Sequence, residues 1–263
     1  MSETVPASDQ YVQSLARGLL VIRAFDADHV QMTLSEVSRR TGLTRATARR
    51  FLLTLVELGY IRTDGRTFEL TALVLQLGYS YLSGQSLPQL AQPVLEDLSR
   101  QISESTSASV LDGSEIVYIA RIHTRRLMTV GIAVGTRFPA YATSMGRVLL
   151  AGLPEDRFED YLTTVDLQPL TDRTVTDPVR LRELVAGVRE QGWAVVDQEL
   201  EQGLRSVAVP VYDPQGRVCA ALNTSMQATM GLGGPTLEDA AARVLPHLQQ
   251  ASATITDALA ARS

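Results

Sequence analysis

The sequence contains no lysine, so each of its 24 basic residues is an arginine and local charge is set by where arginines gather. It has one cysteine, Cys219, which excludes an internal disulfide and any CxxC redox or zinc site. That thiol is expected to behave as a small buried hydrophobe. No apolar run approaches the roughly 20 residues of a bilayer span. The opening MSETVPASDQ lacks the basic-then-apolar order of a signal peptide, so a cytoplasmic location is expected. GxSxG, P-loop and strand-linked GxGxxG motifs are absent, and Gly231-Leu-Gly-Gly reads as a loop. His29, His123 and His247 lie far apart, without the spacing of a metal pair. No catalytic residue, metal site or cofactor is expected.

What is present begins with 263 residues, 45% of them hydrophobic, enough for two domains with separate cores. The net charge of −5 is uneven. Between Leu34 and Arg66 seven arginines face three acids, a local net of +4, whereas residues 86–263 carry 15 arginines and 21 acids, a net of −6. A basic module joined to an acidic one is the pattern of a nucleic-acid-binding domain attached to a domain with another task. A solvated arginine face gives the same count, so the local structure has to decide.

Leu15, Leu19, Ile22 and Phe25, with Leu20 and Val21, recur at helical spacing before the stop at Asp26-Ala-Asp. Thr33-Leu34-Ser35-Glu36 opens a second helix with a hydroxyl cap, and Gly42-Leu43-Thr44 is the short glycine turn of a helix-turn-helix. In the third helix Ala48, Phe51 or Leu52, Leu55 and Leu58 form the apolar face, leaving Arg45, Thr47, Arg49, Arg50 and Thr54 off it. Tyr60 to Thr63, Asp64-Gly65 and Arg66 to Leu70 then read as a hairpin with Arg62 and Arg66 at its tip. This order places one arginine group at the major groove, where a guanidinium can bind guanine O6 and N7, and another beside the backbone. The candidate DNA-binding residues are Ser35, Thr44, Arg45, Ala46, Thr47, Arg49, Arg50, Arg62 and Arg66.

The stretch LSEVSRRTGLTRATARRFLLTLVELGYIRTDGRTFELT resembles the winged helix-turn-helix of the IclR family of bacterial regulators. The likeness continues through PAYATSMGRVLLA and GWAVVDQELEQGLRSVAVPVYDPQGRVCAALN, and VGTRFPAYATSMGRVLLA is most similar to the PcaR and PobR subgroup. That resemblance implies regulation of protocatechuate, 4-hydroxybenzoate or β-ketoadipate breakdown, a homodimer or dimer of dimers, and a GAF-like or profilin-like effector domain. The expected organisation is a flexible arm (1–10), a winged helix-turn-helix (11–70), a linker helix (71–87) and an effector-binding domain (88–263), an α+β protein overall. Recognition helices of a dimer would meet successive major grooves about 34 to 36 Å apart on a palindromic site.

In the second domain, helices are expected at 89–103, 144–153, 179–191 and from Pro235 onward, with a bend at Pro246. Strands are expected at 107–112, 115–122, 127–132, 193–198, 205–212 and 217–224, forming an antiparallel sheet covered by helices. The linker, LTALVLQLGYSYLS, is apolar on too many sides for a lone exposed helix; burial by a partner subunit and docking on its own domain remain open.

The resemblance implies pocket positions at Ser144, Met145, Asp197, Leu204, Ser206 and Asn223. Relatives that bind very small acids often have cysteine and serine where this chain has Ser206 and Asn223, which favours a larger, ring-containing acid here. Arg137 and Arg205 are candidate bidentate partners for its carboxylate, or else surface charges beside strands. Two other functions stay open: an enzyme with an incidental basic front end, and a DNA-binding protein whose second domain only oligomerises.

Overall fold

A computed structural model of the chain describes residues 11–26, 28–78, 86–124, 132–228 and 236–262. The expected arm (1–10) and most of the expected strand at 127–132 lie outside them. The chain divides into two compact units, residues 1–84 and 85–263.

In the first unit, α1 (Gln13–Arg23), α2 (Leu34–Thr41) and α3 (Arg45–Glu57) pack around Val21, Val37, Ala48, Leu52 and Leu55. A three-stranded antiparallel sheet, β1 (Gln31–Thr33), β3 (Thr67–Leu70) and β2 (Ile61–Thr63), adds Met32, Ile61 and Phe68 to that core. The first and third helices differ from expectation in which side chains they bury. Leu15, Leu19 and Leu20 of α1 are exposed, and Leu58 faces solvent just past α3. Beyond β3, Ala72–Val74 form a 3-10 turn and residues 75–78 are helical; of the expected linker helix (71–87), residues 79–85 are outside the described residues and 86–87 instead open the helix Ser86–Ile102.

The second unit is built on a six-stranded antiparallel sheet of order β6-β5-β4-β9-β8-β7. Its strands are β4 (Ser105–Asp112), β5 (Glu115–Ile122), β6 (Arg137–Pro139), β7 (Ala194–Asp197), β8 (Leu204–Tyr212) and β9 (Val218–Gln227). Two meanders, β4-β5-β6 and β7-β8-β9, are joined where β4 pairs with β9. One face carries Val207, Val209, Ala220 and Leu222 beneath α4 (Ser86–Ile102) and α8 (Leu237–Ala260), a single element running through Pro246. The other carries Ile116, Tyr118, Ala208 and Ala221 beneath α5 (Ser144–Ala151), α6 (Glu155–Thr164) and α7 (Pro178–Gln191). Cys219 is half-buried, and burial raises its thiol pKa.

Side chains alternate along a strand, so each strand gives odd and even residues to opposite faces. One irregularity interrupts this rule. Ser107 opposes Arg121 and Ser109 opposes Tyr118, with the register shifting between Ala108 and Ser109. Two residues of β4 therefore match three of β5, a β-bulge that brings Tyr118 and Arg121, three apart in sequence, onto one face.

Candidate nucleic-acid interface and buried polar cluster

The helix-turn-helix is held by local chemistry. Thr33 caps α2 in a reciprocal box: the Glu36 amide donates to Thr33 Oγ1, and the Thr33 amide donates to the Glu36 carboxylate at 2.7 Å. Those bonds to Thr33 hold the Glu36 carboxyl below its usual pKa. Gly42 then ends α2 at φ +67°, the left-handed conformation that glycine adopts without strain. Thr44 caps α3 by accepting from the Thr47 amide at 3.2 Å.

From that cap, Arg45, Ala46, Arg49 and Arg50 are exposed on α3 and Thr47 is half-buried, while Ser35 is exposed on α2. Among the described residues none of Arg45, Arg49, Arg50 and Arg66 has a carboxylate within ion-pair distance, whereas Arg40 is held by Asp26 at 2.5 Å. At the wing, Gly65 takes φ +92°. Asp64 accepts from the amides of Thr67 at 2.7 Å and Arg66 at 2.8 Å, bonds that lower its carboxyl pKa. Arg66 stands at this tip. Arg62 does not: it lies within β2 opposite Glu69, which binds its guanidinium.

In the second unit the positions separate by strand face. Ser144 Oγ, in the first turn of α5, donates to Ser206 Oγ at 2.8 Å, and Ser109 Oγ donates to the Met145 sulfur at 3.2 Å; all four residues are buried. Ser206 opposes Ser225, which opposes Ser105, and Asn223 opposes Ser107. This face thus has a hydroxyl-rich floor under the start of α5. Leu204 shares the parity of Ser206 and sits half-buried at the strand end.

Asp197, Arg205 and Arg137 are not part of it. Asp197 opposes Arg205 and pairs with it at 2.9 Å and with Arg173 at 2.7 Å. Both Asp197 and Arg205 have the opposite parity to Ser206, and Arg205 reaches the Thr236 carbonyl at the start of α8, on the other face. Arg137 opposes Val117 at the far end of β5, where it pairs with Asp112 and Glu115, each at 2.7 Å. The arginine that does join the floor is Arg121. Its Nη1 donates to Ser107 Oγ at 3.1 Å, and its guanidinium carbon lies 5.7 Å from the centre of the Tyr118 ring, whose hydroxyl pKa burial pushes up to about 12. The serines at alternate positions 105, 107 and 109 are a readable sign of one polar strand face, but the bulge that admits Arg121 is not.

With this geometry established, residues 14–65 match the family described as the IclR helix-turn-helix domain, and residues 79–256 match the bacterial transcriptional regulator IclR C-terminal family. The chain belongs to the IclR family. The Pca regulon regulatory protein of Pseudomonas putida is 48% identical over 92% of this chain and 82% of its own length. The p-hydroxybenzoate hydroxylase transcriptional activator of Acinetobacter baylyi is 39% identical over 86% of this chain and 85% of its own. A crystal structure of an IclR homolog from Microbacterium hydrocarbonoxydans, complexed with 4-hydroxybenzoate, superposes with a TM-score of 0.80 at 27% identity, covering 94% and 99% of the two chains. This IclR-family chain is a DNA-binding transcriptional regulator of the subgroup to which the Pca and p-hydroxybenzoate regulators belong, and not an enzyme. No described helix is long and apolar enough to cross a membrane.

Proposed function

We propose that this regulator acts in the cytoplasm as a homodimer or pair of dimers on a palindromic operator, and that its second unit receives an aromatic acid or a ring-cleavage product of one. Residues 11–70 take the DNA-binding role, 71–87 the connection and 88–263 the effector role. The observation that carries the DNA half is the set of exposed arginines on α3 and at the wing tip that have no carboxylate partner among the described residues. Cations not already neutralised within the protein are the ones available to phosphates and base edges. The effector half is supported by the buried hydroxyl floor and by the 4-hydroxybenzoate bound to the Microbacterium homologue.

Arg45→Ala is expected to cost about 1–3 kcal/mol of operator binding and to relax base preference, whereas Arg66→Ala weakens operator and random DNA alike and lowers the salt slope by about 1. Arg62→Ala has a smaller effect, because Glu69 already holds that guanidinium. Fluorescence anisotropy across a salt series separates these outcomes. Equal binding of both DNAs by the Arg45 and Arg66 variants, at parental strength, would refute the groove assignment.

A two-fold operator needs two copies of the chain. Leu15 and Leu19, one turn apart on α1 and exposed at 64% and 46%, offer an apolar stripe for the second copy. Leu15→Asp should weaken the dimer by at least about tenfold, since it places a charge in an apolar contact. Sedimentation equilibrium reads this directly, and an unchanged dissociation constant would move the interface elsewhere. Footprinting of the upstream region with and without 4-hydroxybenzoate, protocatechuate, β-ketoadipate and pyruvate tests the whole reading. Effector action requires different affinities for the two states of the dimer, so a footprint indifferent to every acid would reject the effector half.

A further inference from the structure

The second unit has two buried arginines among its described residues, and their surroundings differ. Arg147 is paired with Glu199 at 2.6 Å. Arg121 is 9% exposed and has no carboxylate within ion-pair distance among the described residues. The only acidic side chains outside those residues are Glu3 and Asp9, in the N-terminal segment of the first unit. Its neighbours are neutral or aromatic: Ser107 Oγ at 3.1 Å, His123 Nδ1 at 3.4 Å and the face of Tyr118. Burial lowers the pKa of this guanidinium, as expected for a cation withdrawn from water without a counter-charge. Buried charges persist when something pairs with them, and here no described residue supplies a carboxylate.

A second unmet group lies in the same cross-strand row. Asn223 is 3% exposed; its Nδ2 donates to Ser225 Oγ at 3.3 Å, while its Oδ1 has no hydrogen-bond partner among the described residues. Arg121 opposes Ser107, and Ser107 opposes Asn223, so both unmet groups belong to one cross-strand row, with the Arg121 guanidinium reaching over the middle strand to Ser107. A small ligand that satisfied both groups would carry a carboxylate for the cation and a hydroxyl donor for the acceptor. A benzene ring bearing both groups has this form.

We propose that Arg121 is the carboxylate anchor of the effector site and that Asn223 Oδ1 accepts the ring hydroxyl of the same ligand, so that the site selects hydroxylated aromatic acids. This rests on the reading that the hydroxyl-rich face binds the effector. The planar guanidinium matches a carboxylate in two parallel bonds, and the bound anion supplies the missing counter-charge.

Calorimetric titration of the full chain with 4-hydroxybenzoate, 4-hydroxybenzamide and benzoate provides the test. The parent should prefer the acid over the amide, and over benzoate, by at least about tenfold each. Arg121→Gln should remove the acid-over-amide preference by lowering acid affinity much more than amide affinity, and Arg121→Lys should keep part of that preference. Ligand-free Arg121→Gln should also melt above the parent, because an uncompensated buried charge has gone. Equal affinity of the parent for acid and amide, or an acid preference that survives Arg121→Gln, would overturn the anchor. Equal affinity for 4-hydroxybenzoate and benzoate would overturn the role of Asn223. Binding of none of the three would instead remove the effector reading, and the anchor with it. If Arg121→Gln does not fold, Arg121→Lys decides, because an acid preference as large as the parent's in that variant would overturn the bidentate anchor.

Discussion

Glu199→Ala should destabilise the second unit by roughly 3–5 kcal/mol, the cost of leaving one member of a buried ion pair alone. Arg147 projects from the first half of α5, and its Nη2 donates to Glu199 Oε2 at 2.6 Å, with side-chain exposures of 4% and 9%. The same carboxylate oxygen accepts from the Val175 amide at 3.1 Å, and the Glu199 carbonyl accepts from Thr174 Oγ1 at 2.7 Å. Glu199, two residues past the end of β7, thereby ties α5 to the turn at 171–175. Its removal strands a guanidinium and an amide together. The double change Arg147→Met with Glu199→Leu removes both charges at once and should recover most of the loss, since apolar replacements of buried pairs are often neutral or better. Trp193, the single tryptophan, belongs to this unit, so urea unfolding followed by its fluorescence reports the relevant transition. A single-variant loss below about 1 kcal/mol would place the pair in the class of solvated surface bridges.

Gly146→Ala is expected to cost at least about 3 kcal/mol, because it overpacks against backbone. A Cβ at this position would stand 2.0 Å from the Ala140 carbonyl oxygen and 2.4 Å from its Cα. The preceding turn, Ala140–Ala142, is buried and leads directly into the Thr143 cap of α5, so it has little room to yield. If α5 shifts instead, the Ser144–Ser206 and Met145–Ser109 contacts separate, and effector binding falls with stability. Gly187→Ala in α7 is the control, since its Cβ would meet nothing within 4 Å and should stabilise by about 0.5–1 kcal/mol. Equal stability of the two variants would mean that the approach of α5 to residue 140 is looser than this packing implies.

Much of the first unit was legible because its signals are local. A threonine three residues before a glutamate, a glycine that must turn left-handed, and Asp64-Gly65 between strand-forming residues each act within one helical turn or one hairpin. Strand β1 was not anticipated: three residues carry no periodicity, and Gln31–Thr33 are extended because they pair with Thr67–Glu69. Helix α6, by contrast, does carry local signals: Pro154 before its start, the acidic pair Glu155 and Asp156 in its first turn, and apolar Phe158, Tyr161 and Leu162 at helical spacing. The short strand β6, Arg137–Pro139, carries no such signal and is defined by its pairing with β5.

The exposed leucines of α1 show a different limit. Helical spacing identified the element but could not say which apolar side chains meet the core and which are left for another surface.

For the candidate sites the division is sharper. The sequence carried the helix-turn-helix, its caps and the exposed arginines of α3, while Ser144, Ser206 and Asn223 came from resemblance and their common strand face from the sheet pairing. Tertiary structure alone decided which arginine meets that face. Arg137 and Arg205 read as equal candidates in a string of letters, yet strand parity sends both to the opposite side, where Asp112, Glu115 and Asp197 neutralise them. Arg121 reaches the floor because a one-residue bulge reverses the alternation of β5 and because β4 pairs with β9, more than a hundred residues away. Neither the bulge nor that pairing follows from local propensity: both arise when two meanders close into one sheet and their buried faces have to coincide.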